Sequence, residues 1–558
     1  MIKKIFLLLL LFSFNICAEQ IIYIPEASIN KIDAEGLLTH TKILSSDEYE
    51  GRGVGKKGEE LAINYIANNF KSLGLKPGGD GDTYFQKVPL TGISPNPETI
   101  NLTFSNIDDT LSYKNDYVIW TTQERNLIEL SGKDIVFVGY GVTAPEYGWN
   151  DFKDVDVKDK ILIVLINDPQ IPDPKNPEIL DDTMFEGKAM TYYGRWTYKF
   201  EEAARRGAAG ALVIHETGPA GYEWNVVESS NTGELFALGG ETSDKLPVQG
   251  WITYETATKL FNNAKLNLEE LKQKAIDRNF TPVNLGVKGS VHIDNTIRNI
   301  KSNNVIGLFE GKDPALKNEY VVYMAHWDHF GIGEPINGDA IYNGASDNAI
   351  GVSSLFELAE AFNSAGSGPS RSVIFLSVTA EEQGLLGSQY YTEHPIFPLN
   401  KTLGVINMDE INTYGKTKDI TVIGYGQSNL DEYIENAAKN MQGRIITPDP
   451  EPEKGFFYRS DHFNFAKKGV PALNPGQGTI YIGKPDNYGI QLREWYNENI
   501  YHTPFDEIKN DWDLSGAVED LQLFFIVGYM MTETDTWPAW KKNSEFRAIR
   551  EASLKGLQ

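Results

Sequence analysis

The chain has 558 residues, 41% of them hydrophobic and 23% charged, and its 51 basic and 77 acidic side chains give a net charge of −26. This length predicts two or three domains with a large core, and the acidic balance argues against nucleic acid and anionic membrane surfaces as partners. Cys17 is the single cysteine, so no disulfide framework is expected, and no thiol nucleophile once the N-terminus is processed.

Residues 1–18 read as a signal peptide. Lys3 and Lys4 precede an apolar run, Ile5 to Phe14, that is too short to span a bilayer. Cleavage after Ala18 predicts a periplasmic or secreted protein without stable membrane insertion, because no later apolar run reaches ~18 residues. The glycine-rich GRGVGKKG at 51–58 fails the phosphate-loop spacing, and no clear strand precedes it; Arg52 within it reads as structural. Ala62, Tyr65, Ile66, Phe70 and Leu73 then recur at helical spacing, with Gly74 as the stop.

From about Gly132 the texture changes. IVFVGYGV (135–142), KILIVLIND (160–168) and GALVI (210–214) are strand-like, with a helix predicted over Trp196 to Arg206. This block reads as a β-rich module inserted into the main domain. VKGSVHI (287–293) reads as a further strand-like stretch, leading toward NVIGLFEG (304–311).

The most informative stretch runs from His326 to Asp409. Tyr320 to Ala325 ends on HWDH (326–329), GASDNA occupies 344–349, Ser372 to Val378 leads into Glu381 and Glu382, and Leu403 to Met408 ends on Asp409. Short apolar runs of this kind read as buried strands. In open α/β sheets ligands bind beyond the carboxyl ends of the strands, so His, Glu-Glu and Asp converge on one sheet edge. Imidazole and carboxylates suit zinc.

His326 is the first candidate ligand, and Asp328, two residues on, is placed to accept its other ring N–H and fix its tautomer. Asp347 is either a ligand or the cap of the helix predicted from Val352. Of Glu381 and Glu382, one can bind metal while the other stays free as a general base; two exposed loop acids is the alternative. His502, in YHTP, is the second candidate histidine. His329 and His462 lie inside motifs, whereas His40, His215, His292 and His394 lack acidic motif context.

Together these motifs, over about 290 to 535, resemble the exopeptidase family with two co-catalytic zincs. That family includes bacterial leucyl aminopeptidases, glutamate carboxypeptidase and the catalytically dead transferrin receptor. The resemblance implies an α/β fold, with a mixed, mostly parallel sheet flanked by helices. It implies two Zn2+ ions, His326 and Asp409 completing one site and Glu382 and His502 the other, with Asp347 bridging. Glu381 is then the base and Asp328 the orienter of His326. The domain plan is a signal peptide (1–18), an N-terminal part of the catalytic domain (19–131), an inserted protease-associated domain (132–286) and the catalytic zinc peptidase domain (287–558).

Peptide or protein substrates are implied, with aminopeptidase action favoured because spare carboxylates suit a protonated N-terminus. A carboxypeptidase would need an arginine-lined pocket, for which Arg195, Arg459 and Arg493 are the candidates. A single-zinc glutaminyl cyclase-like cyclotransferase and a non-enzymatic binding protein are the remaining readings, and a homodimer is left open. Glu410, directly after Asp409, stands where the family is often apolar; it reaches either the substrate amine or a salt-bridge partner.

Overall fold

The computed structural model describes residues 13–16, 20–153, 155–240, 245–366, 368–542 and 544–556. The predicted signal peptide therefore falls largely outside the described residues. Two compact units are present. One comprises residues 1–88, 301–449 and 459–558, and the other residues 89–300 and 450–458. The second unit thus takes in residues 89–131 and 287–300 besides the block read from sequence as an insertion.

In the first unit the central strand is Tyr320–His326, all seven residues of which are buried. It pairs in parallel with Ser372–Val378 on one side and Thr402–Asn407 on the other. Thr402–Asn407 continues in parallel to Ala472–Gly476, which pairs antiparallel with Asp419–Ile423. The last residues of the long strand Val283–Phe309 run antiparallel to Ser372–Val378. The sheet is mixed and mostly parallel, as expected. Strands buried on both faces need near-continuous apolar sequence rather than alternation, and YVVYMA and SVIFLSV supply it.

Helices cover both faces of such a sheet. Ile350–Asn363 is buried along nearly its whole length, which explains why its sequence is mostly apolar or small rather than sharply amphipathic. Its Phe362 ring meets Tyr323, Phe375 and Phe525 at centroid distances of 5.9, 6.2 and 4.8 Å. Truncating it to alanine would cost about 3–5 kcal/mol. Ser515–Glu533 packs with it, and the backbone carbonyl of Phe524 accepts the Tyr323 hydroxyl at 2.9 Å. The helix Ala34–Leu44 starts at Asp33, whose carboxylate accepts the amides of Glu35 and Gly36 at 2.8 and 2.9 Å, satisfying two of the N–H groups a helix start leaves open.

The second unit has its own sheet. Leu127–Phe137, Ile161–Leu165, Gly210–His215 and Val248–Thr253 pair in parallel in that order, and Tyr117–Trp120 closes one edge antiparallel. Lys199, on the helix Trp196–Arg205, is buried and donates to the carbonyls of Tyr140, Asn167 and Tyr193 at 2.7, 3.0 and 2.6 Å. Burial lowers its pKa to about 8.

One element differs from the expectation. The strand-like stretch at 287–293 and the first part of the NVIGLFEG segment belong to one long strand, Val283–Phe309. The polar stretch DNTIRNIKS between them interrupts the apolar pattern without interrupting the extended backbone.

Candidate metal centre

The three parallel strands end together, and the chain turns out of each with a polar side chain. In-register pairing sets His326 beside Val378, the residue three before Glu381, and Met324 beside Asn407, two before Asp409. Ala380 adopts a φ of 53°, a left-handed turn that swings Glu381 and Glu382 off the strand direction. Asp347 comes from the loop ahead of Ile350–Asn363. Its φ/ψ of −116°, 90° is extended rather than helical, and its side chain does not cap the helix. The capping alternative is thereby set aside. His502, at a φ of 58°, arrives from the far C-terminal part of the unit.

These side chains converge. His326 Nε2 lies 3.0 Å from Asp409 Oδ1 and 3.3 Å from Asp347 Oδ1. His502 Nε2 lies 3.3 Å from both Asp347 Oδ2 and Glu382 Oε2. Asp347 thus turns one oxygen to each of two imidazole–carboxylate pairs. In a tetrahedral zinc site with bonds of about 2.0–2.2 Å, donor atoms stand roughly 3.3 Å apart, so these separations fit such a cation. Among the described residues, one group of three or more His, Asp or Glu donors lies within a 4.8 Å span, and it consists of His326, Asp347 and Glu382.

The electrostatics also call for a cation. Burial pushes the carboxyls of Glu381 and Glu382 well up, reinforced for Glu382 by the Asp347 charge. Burial opposes protonation of His326, but the carboxylates of Glu381 and Asp409 hold its pKa well above the usual range. Carboxylates gathered out of water are costly unless a positive charge compensates them.

Surrounding groups fix each donor. The His326 Nδ1–H donates to the backbone carbonyl of Asp328 at 3.1 Å, leaving Nε2 free to bind. This corrects the expectation that the Asp328 carboxylate orients His326. The chain bends after His326, and the buried Asp328 carboxylate accepts the amides of Glu381 at 3.1 Å and Glu382 at 3.4 Å. Asp328 therefore positions the Glu-Glu turn. His329 Nδ1–H donates to Glu382 Oε1 at 2.7 Å, and burial lowers the His329 pKa to about 4, so the ring is neutral. Ser460 donates to Asp409 Oδ2 at 2.5 Å, held in turn by Asn407 at 2.7 Å.

Two supports carry no motif. Asp506 accepts the amides of Ser346 and Asp347 at 3.0 and 2.9 Å, pinning the Asp347 loop; its place in YHTPFDE, four residues after His502, is the one sequence hint. Arg52, fully buried, donates to the carbonyls of Trp327, Asn343, Gly344 and Leu44 at 2.7, 2.6, 2.8 and 2.9 Å. It ties the HWDH turn to the Asp347 loop. Burial lowers its pKa to about 10, so it stays cationic at neutral pH.

Of the other sequence candidates, Asp461 is buried and accepts Ser388 Oγ at 2.5 Å. Arg195 belongs to the second unit, whereas Arg459 and Arg493 belong to the first. His40 bonds Tyr65, His215 bonds the Tyr222 carbonyl, and His292 bonds Glu129, away from the donor group.

A parallel-sheet edge that gathers two histidines and several carboxylates at these separations is an arrangement able to hold metal cations. The model of peptidase family M28 matches residues 304–526. Curated relatives include leupeptin-inactivating enzyme 1 of Streptomyces exfoliatus, 28% identical over 214 residues, 37% of this chain and 43% of that protein. Aminopeptidase YwaD of Bacillus subtilis (strain 168) is 29% identical over 216 residues, covering 38% and 41%. The chain thus matches about two fifths of the length of these relatives. Among solved structures, the aminopeptidase from Aneurinibacillus sp. strain AM-1 shares the fold, with a TM-score of 0.50 and 18% identity over 90% of this chain and 95% of that one.

Proposed function

We propose that this protein is an exported di-zinc aminopeptidase. The carrying observation is Asp347, whose two oxygens each stand 3.3 Å from a different imidazole, His326 and His502. A bridging carboxylate between two histidines is what a pair of cations needs. His326 and Asp409 would hold one zinc, Glu382 and His502 the other, and Asp347 both. When bound, the ions supply Lewis-acid polarisation of the scissile carbonyl and of the attacking water.

Glu381 is the proton carrier. It is held by its backbone amide against Asp328 at 3.1 Å, while its carboxylate accepts no hydrogen bond among the described residues. It takes a proton from the attacking water and delivers it to the leaving amine. Burial raises its pKa, and bound cations would offset this by favouring the ionised carboxylate that a base requires. The named aminopeptidases among its relatives support amino-terminal over carboxyl-terminal action. The second unit, with its parallel sheet, is proposed as the protease-associated domain.

The test is metal analysis of purified protein together with two substrates, leucyl-p-nitroanilide and an N-acylated dipeptide with a free carboxylate. Two zincs per chain and cleavage of the anilide alone are expected. Cleavage of the capped dipeptide alone would establish a carboxypeptidase instead, and a single zinc with cyclisation of N-terminal glutamine would establish a cyclotransferase.

A further inference from the structure

We infer that Glu410 is a specificity-determining residue that receives a positively charged nitrogen of the substrate, either the terminal α-ammonium or a basic side chain of the terminal residue. This rests on the aminopeptidase reading and goes further, to what selects the substrate.

The residue follows Asp409 directly, so it leaves the Thr402–Asn407 strand at the edge where the metal donors gather. Its carboxylate extends over Gly476, where a β-carbon would come within 2.9 Å of Oε2. Only a side chain-free residue leaves room for it in this pose. One face of the helix Tyr488–Asn499 then ties it to the rest of the site. Arg493 Nη2 lies 4.0 Å from Glu410 Oε1, and Tyr496, three positions on and hence on the same face, faces Ser346 next to Asp347. Glu410 and the Asp347 loop are thus flanked by the same helical surface.

Apart from Glu381, the proposed base, and Asp347, the proposed bridge, the neighbouring carboxylates are committed. Asp328 takes the amides of Glu381 and Glu382, Asp409 takes Ser460, Glu382 takes His329, and Asp506 takes the Asp347 loop. Glu410 accepts no hydrogen bond among the described residues, and its ion pair with Arg493 is a long contact of 4.0 Å. Its side chain is 45% exposed. Burial raises the Glu410 pKa, opposed by the Arg493 charge, and a partly desolvated carboxylate with open lone pairs gains from accepting an ammonium of an incoming ligand. An apolar residue at this position could not accept one. Because the charge is fixed on the protein before substrate arrives, its effect falls on binding rather than on the chemical step.

The experiment compares wild type, Glu410→Gln and Glu410→Asp on leucyl- and lysyl-p-nitroanilide, with zinc content measured for each. Glu410→Gln should raise KM roughly tenfold or more with kcat little changed, weaken inhibition by n-butylamine, and retain zinc. Glu410→Asp should recover part of the loss. An equal rise in KM on both substrates assigns the α-ammonium, and a rise confined to the lysyl substrate assigns the side-chain ammonium. Unchanged constants in Glu410→Gln, or a loss of kcat or zinc without a change in KM, would overturn the inference while leaving the aminopeptidase reading intact. A wild-type protein that cleaves neither anilide overturns both.

Discussion

His502 Nε2 stands 3.3 Å from Asp347 Oδ2, although the two residues are far apart in the chain. One lies in a loop ahead of a buried helix, the other in a turn near the C-terminus. A cation shared by the two would cross-link distant segments of the chain. Removing it with a chelator should abolish hydrolysis and lower the melting temperature by several degrees, because a ligand that binds only the folded state stabilises it by mass action. Adding zinc should restore both. Calorimetry with and without chelator checks this, and an unchanged melting temperature would mean that the segments are held without metal.

Glu381 tests the assignment of the base. Its amide is anchored by Asp328, and none of the contacts around the donor group depends on its carboxylate. Glu381→Gln should therefore lower kcat by roughly 10²–10⁴ while zinc content and melting temperature stay near wild type. A variant that loses zinc in parallel with activity would show Glu381 to be a ligand.

His329 tests how far orientation matters. Its neutral ring donates to Glu382 Oε1 at 2.7 Å, leaving Oε2 directed at His502. His329→Ala frees Glu382 to rotate and should weaken zinc binding by roughly 10–100-fold, measured by competition with a chelating dye. Burial places the His329 pKa at about 4, so this contribution should be constant from pH 6 to 8.

The side chains that converge were legible because they stand at or near the end of an apolar run or inside a short motif. His326, Glu381 and Asp409 follow strands whose continuous hydrophobicity marks them as buried on both faces. What holds the donors was harder to read. Arg52 bonds carbonyls from three separate segments, and a carbonyl carries no side-chain identity to recognise. Asp506 likewise bonds backbone amides. The exchange of roles at Asp328 has the same origin. Alternation along an extended strand places Asp328 beside His326, but the strand ends at His326, and the carboxylate turns to the Glu381 and Glu382 amides.

Arg52 carries a stability prediction. Arg52→Met leaves the carbonyls of Trp327, Asn343, Gly344 and Leu44 buried without their donor. Each unsatisfied group costs about 1–3 kcal/mol, and relaxation recovers part of it. A destabilisation on the order of 3–5 kcal/mol is expected, read from the denaturant midpoint at constant slope. Arg52→Lys should recover only a fraction, because a single ammonium cannot span the carbonyls the guanidinium fork reaches. A midpoint within 0.5 kcal/mol of wild type, on the order of a surface substitution, would remove Arg52 from the framework of the site.

Glu357 predicts how stability depends on pH. It lies buried on the helix Ile350–Asn363, and its Oε2 accepts the Asp33 amide at 3.0 Å at the start of the helix Ala34–Leu44. Burial pushes its pKa up to about 7 from 4.5; the Asp33 hydrogen bond opposes the shift, and the charges of Asp33 and Glu360 add to it. The folded state therefore binds the proton more tightly than the unfolded chain. The stabilisation is fully present below pH 4.5, the unfolded value, and is lost as pH rises through 7. Over that interval Glu357 should make wild type less stable by up to roughly 3 kcal/mol, whereas Glu357→Gln keeps a neutral acceptor at every pH. Unfolding curves for the two proteins from pH 5 to 8 should diverge steadily, with the variant the more stable at the alkaline end. Parallel curves would place the ionisation of Glu357 outside this range.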